Sequence, residues 1–246
     1  GPGDPELLTV KAKRVLLEAD AVIYDRLVSA QILDLIPAGT TRIFAGKASR
    51  NHHMPQEEIN ELLLNLAQSG RKVVRLKGGD PFIFGRGSEE AVYLAENGVS
   101  FEIVPGITAS AGCAAYAGIP LTHRGLAKSV RFITGHMRDG KDLDLDWNSL
   151  ADPDTTLVIY MGLTNVRRIS RELIKAGLPG YTPAAAIEKG TTVEQRTVLT
   201  TLADLPDCIK DMRFEAPSLL VIGEVVELAN VLSWRLATVD CELAAG

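Results

Sequence analysis

The sequence has 246 residues, of which 46% are hydrophobic, and a formal net charge of −5 at pH 7. This is enough apolar material for one large or two modest domains. The acidic balance argues against general affinity for nucleic acids, which usually needs a basic excess. No apolar run approaches the length that crosses a bilayer, and the first residues lack the basic and apolar regions of a signal peptide, so we interpret the chain as cytoplasmic.

Strands and helices alternate through the first half of the chain. The predicted strands are 21–24, 41–44, 73–76 and 101–104, and the predicted helices are 6–19, 32–36, 55–70, 88–98 and 108–117. The helix that follows the opening glycine turn has no strand before it, although such a turn usually connects a strand to a helix. We therefore expect that a first strand is missing. The alternation predicts a mostly parallel sheet with helices on both faces.

The pattern changes after 118, where periodic apolar residues give way to polar and turn-forming residues. We predict an N-terminal α/β domain over 1–120, a linker over 121–129 and a C-terminal α/β domain over 130–246. The strands predicted in the second domain are 130–134, 157–160, 184–187, 196–200 and 218–222, and the helices are 165–176, 202–210 and a terminal amphipathic helix. Two α/β halves imply a cleft between them that can hold the active site.

The stretch 73–87 passes from a buried-strand pattern into a glycine-rich, charged turn. Gly78 and Gly79 let the backbone turn sharply and approach a ligand closely. Ligands of open parallel sheets bind beyond the carboxyl ends of the strands, so the turn is a candidate binding site. A tight turn in which Asp80 caps the next helix is an equally weighted alternative.

Ionisable residues follow three of the predicted strands. They are Asp25 with Arg26, Lys47, and Asp80 with nearby Arg86. In a parallel sheet all three groups lie on one rim, where an acid and a lysine can serve as proton acceptor and donor. The alternatives are an aspartate that only forms a turn and a solvated lysine.

Arginines in predicted loops suggest an anionic ligand. Arg26, Arg86 and Arg124 can each hold a carboxylate by paired hydrogen bonds, although surface salt bridges would use the same residues. The sequence contains no dinucleotide fingerprint GxGxxG and no phosphate-binding GxxxxGK[ST] loop. The adjacent His52 and His53 have no acidic or cysteine ligand beside them, so we predict no metal site.

Together these loops resemble the tetrapyrrole methylases, and within that family the uroporphyrinogen-III C-methyltransferases. The matching segments are GPGDPELLT at 1–9, YDRLVS at 24–29, GK at 46–47, VVRLKGGDPFIFGRG at 73–87, VPGITAS at 104–110, GIPLTHRG at 118–125, YMG at 160–162 and EKGTT at 188–192. The resemblance implies two αβα domains, a homodimer, and S-adenosylmethionine bound in the cleft between the domains and released as S-adenosylhomocysteine. The chain departs from the family at its start, where an apolar strand and one more glycine are expected.

The resemblance also implies roles for particular residues. Asp25 would be the proton acceptor, Lys47 the proton donor, and Arg86 would also act in catalysis. The positions that match the family's cofactor contacts are Pro2, Gly78, Gly79, Asp80, Ile83, Thr108, Ala109, Met161 and Gly190. Those that match positions facing the tetrapyrrole are Arg26, Arg86, Glu89, Arg124 and Met161.

The implied reaction is C-methylation of uroporphyrinogen III at two ring positions to give precorrin-2, a precursor of sirohaem and cobalamin. One alternative is a sister enzyme that methylates a later precorrin. Another is a non-catalytic fragment of a bifunctional sirohaem synthase, from which a dehydrogenase and ferrochelatase part has been removed.

Overall fold

A computed structural model describes residues 2–46, 54–136 and 143–235. Its contacts divide the chain into two compact units, Gly1–Thr108 and Ala109–Gly246. This division precedes the linker that the sequence predicts at 121–129. The reason is that the helix after Thr108 packs with the second unit, where Cys113 and Ala114 belong to the same apolar cluster as Val158.

The first unit is a parallel sheet between helices. Its elements are a 3₁₀ turn at Pro5–Leu7, α1 at Val10–Leu17, β1 at Ala21–Tyr24, α2 at Ala30–Leu33, β2 at Thr41–Phe44, α3 at Gln56–Gln68, β3 at Val73–Leu76 and α4 at Gly87–Glu96. The strand order is β2-β1-β3, and β1 is parallel to both neighbours. The parallel sheet predicted from the alternation of elements is confirmed.

The unit has three layers, with helices on both faces of the sheet, and the alternating side chains of β1 show how they pack. Successive side chains of a strand point to opposite faces, and Val22 packs with Leu16 and Ile32 whereas Ile23 packs with Ile59 and Leu63. Helices α1 and α2 therefore cover one face of the sheet, and α3 covers the other.

One predicted element of the first unit is wrong in part, and a second is wrong. The helix predicted at 6–19 is divided because Asp4 caps the 3₁₀ turn through the Glu6 N–H at 2.8 Å, and Thr9 then caps α1 through the Ala12 N–H at 3.2 Å. The strand predicted at 101–104 is not formed. That segment and β3 line the same cavity, so the space in which a ladder would form between them is open.

The second unit contains a mixed sheet of five described strands. Its elements are α5 at Ala109–Tyr116, β4 at Ser129–Thr134, α6 at Trp147–Leu150, β5 at Thr155–Tyr160, a 3₁₀ turn at Leu163–Asn165, α7 at Val166–Lys175, β6 at Pro183–Glu188, β7 at Arg196–Thr201, α8 at Leu205–Asp211, β8 at Ser218–Ile222, a 3₁₀ turn at Glu224–Leu228 and α9 at Ala229–Leu232. The order is β4-β5-β8-β6-β7, with only β4 and β5 parallel.

Alternate residues of β8 enter two separate cores. Leu220 and Ile222 pack against the α7 and α8 side, whereas Leu219 and Val221 pack against α5 and α9. A strand buried on both faces reads as a continuous apolar run, as Leu-Leu-Val-Ile does here. The antiparallel reversal predicted between the strands at 184–187 and 196–200 is confirmed by the pairing of β6 with β7.

Within the described ranges, the helices are all too short or too polar to cross a membrane.

Candidate functional site

The carboxyl ends of the first sheet bring most of the predicted polar residues of the first unit to one rim. Asp25 follows β1, Gly46 follows β2, and Gly78 to Asp80 follow β3, as the parallel register requires. Arg26 is exposed at this rim. Lys47, the predicted proton donor, lies outside the described residues.

The glycine-rich turn after β3 is a compact loop. A Cβ on Gly85 or Gly87 would come within 2.7 or 2.6 Å of the Pro81 carbonyl oxygen, which explains why these positions are glycine. Phe84 and Arg86 are held in the left-handed region, with φ of 52° and 57°. Non-glycine residues adopt this conformation at a cost, and such strain is concentrated at functional sites.

Asp80 braces this turn against a second one. Its Oδ1 accepts the Phe82 N–H at 2.9 Å, and its Oδ2 accepts the Gly106 N–H at 3.1 Å. The alternative in which Asp80 caps the next helix is wrong, because the residue at the N-cap of α4 is Arg86. Asp80 instead holds the backbone of 78–82 close to that of 105–107.

A cavity of about 440 Å³ lies beside these two turns. Three of the predicted cofactor residues, Pro2, Gly78 and Gly79, line it, together with Gly106. A Cβ on Gly78 would come within 2.9 Å of the Leu27 carbonyl oxygen, and one on Gly106 within 2.5 Å of the Gly79 carbonyl oxygen. The volume is within the usual range for small-molecule sites. The other walls of the cavity are apolar side chains such as Leu16, Ile32 and Leu63, so the two glycine turns are the part of the lining that fits the main-chain contacts expected for S-adenosylmethionine.

The remaining predicted cofactor residues do not line this cavity. Ile83 is half-buried in the loop after β3, and Thr108 is half-buried at the end of the first unit. Ala109, Met161 and Gly190 belong to the second unit.

Asp25 is fixed by contacts to both of its carboxylate oxygens. Its Oδ1 accepts the Leu27 N–H at 2.9 Å, and its Oδ2 accepts a hydrogen bond from the Arg75 Nη2 at 3.4 Å. The side chain is 23% exposed, so one part of the carboxylate reaches solvent. A held but accessible carboxylate can accept a proton from a ligand.

A nearby lysine, Lys77, is buried, and its pKa is lowered. The Lys77 ammonium donates to both carboxylate oxygens of Glu90, at 2.8 and 2.9 Å. Desolvation by burial, followed by repulsion from Arg75, lowers the pKa of Lys77, and the attraction of Glu90 opposes this change. Arg75, Lys77 and Glu90 were not predicted from the sequence, although Arg75 lies in the strand predicted at 73–76 and Lys77 directly follows it.

Arg86 forms a two-point contact with Glu89. Its Nε and Nη2 donate to the two carboxylate oxygens at 2.8 and 2.7 Å. This hydrogen-bonded pair raises the pKa of Arg86, and burial opposes the change. Both side chains are more than two fifths exposed, so the guanidinium can also meet an external anion.

The predicted residues of the second unit lie at strand ends and in strained turns. Met161 follows β5 with φ of 54° and is half exposed. Next to Ala109, the Ser110 N–H donates to the Tyr160 hydroxyl at 2.9 Å, which ties the start of α5 to the end of β5. Arg124 is exposed in the loop before β4.

Gly190 is required by a close approach to α5. It is buried between Lys189 and Thr191, which have φ of 47° and 69°, and an added Cβ would lie 2.3 Å from the Cys113 Sγ and 2.9 Å from its Cβ. Burial raises the pKa of the Cys113 thiol to about 11, so this cysteine is neutral at physiological pH.

We predict that Gly190→Ala destabilises the protein by about 1–3 kcal/mol, the usual cost of overpacking. Chemical unfolding would measure this loss. Cys113→Ala in the same chain should recover part of it, because the Sγ that the new methyl group meets is removed. Equal losses with and without Cys113 would show that backbone conformation, and not this contact, requires glycine at position 190.

Comparison with known families adds a match that covers most of the chain. The model of the Tetrapyrrole (Corrin/Porphyrin) Methylases matches residues 1–206. A siroheme synthase of Pseudomonas fluorescens is 54% identical over 234 residues, which are 95% of this chain and 50% of the relative. A siroheme synthase of Methylococcus capsulatus is 52% identical over 246 residues, covering all of this chain and 52% of the relative. The chain thus spans about half the length of the curated relatives it matches.

Solved structures support the same relationship. The native uroporphyrin III C-methyl transferase of Thermus thermophilus has a TM-score of 0.78 and 40% identity, and the match covers 93% of this chain and 96% of that one. The same enzyme complexed with S-adenosyl homocysteine has a TM-score of 0.77 and 40% identity with the same coverage. A cobalt precorrin-4 methyltransferase from cobalamin biosynthesis has a TM-score of 0.81 and 30% identity, over 92% of both chains.

Proposed function

Because the chain belongs to the tetrapyrrole methylase family, we propose that it is an S-adenosylmethionine-dependent C-methyltransferase that converts uroporphyrinogen III into precorrin-2. The observation that carries this proposal is the 40% identity to the Thermus thermophilus uroporphyrin III C-methyl transferase, which extends over 96% of that enzyme. The match does not depend on one motif, since it includes both units.

The two glycine turns beside β3 support a cofactor site in the first unit. When bound, S-adenosylmethionine supplies a methyl group made electrophilic by its sulfonium. We propose that Pro2, Gly78 and Gly79 hold it largely through main-chain groups, with Asp80 keeping their turn in place. The remaining cofactor contacts are proposed at Ile83, Thr108, Ala109, Met161 and Gly190.

Proton transfer is assigned to Asp25 and Lys47. Methylation of an electron-rich pyrrole carbon requires loss of a proton to restore conjugation, and an ionised carboxylate at hydrogen-bonding distance can accept it. The contacts to both Asp25 oxygens support this role, because a fixed base needs little reorganisation. Lys47 follows β2 in the sequence, and we propose it as the proton donor from the family resemblance.

The substrate carries many carboxylates, which agrees with arginines on an otherwise acidic protein. We propose that Arg26, Arg86 and Arg124 bind these groups, with Glu89 and Met161 also facing the tetrapyrrole. The two hydrogen bonds to Glu89 hold the Arg86 guanidinium, so part of the entropic cost of ordering this side chain is already met.

We predict that Arg86→Ala lowers kcat/KM for the tetrapyrrole by roughly ten- to a hundred-fold, the range of a hydrogen bond between charged groups. Affinity for S-adenosylhomocysteine should change little. Steady-state kinetics with calorimetry would measure both. Arg171→Ala is the matched control, because Arg171 is an exposed arginine that pairs with Glu172 in the second unit. Equal activity loss in both variants would contradict the assignment of Arg86.

A second candidate substrate is a later precorrin. The TM-score of 0.81 to the cobalt precorrin-4 methyltransferase favours it, but the lower identity of 30% does not. The longer curated relatives also leave open a non-catalytic role for this part of a bifunctional sirohaem synthase.

Anaerobic incubation with uroporphyrinogen III and S-adenosylmethionine, followed by mass spectrometry of the tetrapyrrole, tests the proposal. We expect a gain of two methyl groups. If uroporphyrinogen III is unchanged but a later precorrin gains a methyl group, the sister enzyme is the better assignment. If neither substrate is methylated, the non-catalytic alternative is favoured.

We also propose that the protein is a cytoplasmic homodimer. Val231, Leu232 and Trp234 are exposed apolar side chains near α9, and they support self-association. Sedimentation analysis would measure the mass of the assembly in solution.

A further inference from the structure

Four charged side chains form a cluster at the carboxyl ends of β1 and β3. They are Asp25, Arg75, Lys77 and Glu90, and their side chains are 23%, 13%, 9% and 6% exposed. Only Asp25 among them reaches the rim to an appreciable extent. The two positive and two negative charges balance within the cluster.

Arg75 connects the partly exposed member to the buried ones. Its Nη2 lies 3.4 Å from the Asp25 Oδ2, and its Nε donates to the Glu90 Oε1 at 3.2 Å. Its Nη1 donates to the Leu76 and Ile23 carbonyl oxygens, at 2.9 and 3.3 Å. All three nitrogens of the guanidinium are therefore used, each in a different direction, which the rigid fork of an arginine permits.

Glu90 is the centre of the buried side of the cluster. Besides Arg75, it accepts both hydrogen bonds from Lys77, and the Gln56 amide donates to it at 3.1 Å. Gln56 is in turn bonded to Asn60 at 3.0 Å, so α3 and α4 both hold the glutamate. Glu90 and its partners therefore hold the Arg75 guanidinium, whose Nη2 donates to Asp25.

A purely structural explanation is insufficient for this arrangement. Buried ion pairs lose much of their Coulombic attraction to desolvation, and apolar residues of similar volume often give equal or greater stability. The cluster also has one partly exposed carboxylate, and that carboxylate, Asp25, is the group to which proton transfer is assigned.

We propose that Arg75 is a positioning residue for Asp25, and that Glu90, anchored by Lys77 and Gln56, holds Arg75 in place. This inference rests on the proposed function, because it assumes that Asp25 accepts the proton. Arg75 does not touch the substrate in this proposal. It fixes the direction of the Asp25 Oδ2 while the Leu27 N–H fixes Oδ1.

The test is a double-mutant cycle between Arg75→Lys and Asp25→Asn. Lysine keeps the charge but cannot contact Glu90, the two carbonyl groups and Asp25 at once. We expect Arg75→Lys to lower kcat by roughly ten-fold in the wild-type background, and by less than two-fold in the Asp25→Asn background, as coupled residues behave. The KM values for both substrates should be unchanged.

Glu90→Gln is a second variant, which leaves Arg75 in place but weakens its anchor. It should give a kcat between those of wild type and Arg75→Lys. Lys11→Gln is the control, since Lys11 forms an exposed ion pair with Glu102 in the same unit; its kcat should equal that of wild type. Thermal unfolding of each variant separates loss of fold from loss of rate.

Equal fold-losses from Arg75→Lys in both backgrounds, or wild-type kcat in that variant, would overturn the proposal. Crystal structures of Arg75→Lys and wild type give a readout that needs no activity. We expect the Asp25 carboxylate to be displaced or to take two orientations in the variant, and an unchanged carboxylate would count against positioning. If wild type fails to methylate any tetrapyrrole, the proposed function fails, whereas the crystal structures still decide whether Arg75 orients Asp25.

Discussion

Asp25→Asn should lower kcat for tetrapyrrole methylation by roughly 10²- to 10⁴-fold, the usual contribution of a general base. The asparagine carbonyl can keep the hydrogen bond from the Leu27 N–H at the position of Oδ1. The substitution therefore removes the negative charge with little change of shape. Since Asp25 does not line the cavity beside β3, affinity for S-adenosylhomocysteine should stay within a factor of about two.

Single-turnover mass spectrometry and calorimetry would measure the rate and the affinity separately. Asp34→Asn is the matched control, because Asp34 is an exposed aspartate at the end of α2 in the same unit. It should have the kcat of wild type. A normal rate for Asp25→Asn would remove Asp25 from catalysis, and with it the premise for the positioning role of Arg75.

Gly106→Ala should reduce affinity for S-adenosylhomocysteine by roughly ten-fold or more, because the overpacking cost of about 1–3 kcal/mol falls on the turns proposed to hold the cofactor. The new methyl group would lie 2.5 Å from the Gly79 carbonyl oxygen. Either the turn at Gly79 or that at Gly106 must move, and the hydrogen bond from the Gly106 N–H to Asp80 is then strained or lost.

Calorimetric titration with S-adenosylhomocysteine would measure this effect. Gly39→Ala provides a control for the loss of a glycine, since no atom lies within 4 Å of the position of its Cβ and its φ is not in the left-handed region. That variant should bind as wild type does. Unchanged affinity in Gly106→Ala would mean that the two turns are not part of the cofactor site.

Local sequence patterns predicted much of the fold because they depend on neighbouring residues. The run from Val73 to Leu76 and the alternating strands and helices were sufficient to predict a parallel sheet, and that sheet brings Asp25 and the Gly78-Gly79 turn to one rim. The resemblance to tetrapyrrole methylases, carried by loop motifs such as the segment at 73–87, supplied the cofactor and the substrate class, which periodicity alone cannot give.

Features that depend on partners distant in sequence were missed. The segment 101–104, Phe-Glu-Ile-Val, has the composition of a strand, but ladder formation also requires a neighbouring strand within hydrogen-bonding distance. In the sequence, Arg75 is only a charged residue within an apolar strand, because its partners Asp25 and Glu90 are distant along the chain. In the same way, Gly190 reads as a turn residue, whereas its absent side chain leaves room for the Cys113 thiol.

The burial of Cys113 has a consequence for how the protein responds to thiol reagents. The thiolate is the reactive form of cysteine, and burial raises the pKa of Cys113 to about 11. The backbone at Gly190 also packs against its Sγ. The folded protein should therefore leave this thiol unmodified by iodoacetamide, and labelling of Cys113 would report unfolding of the second unit.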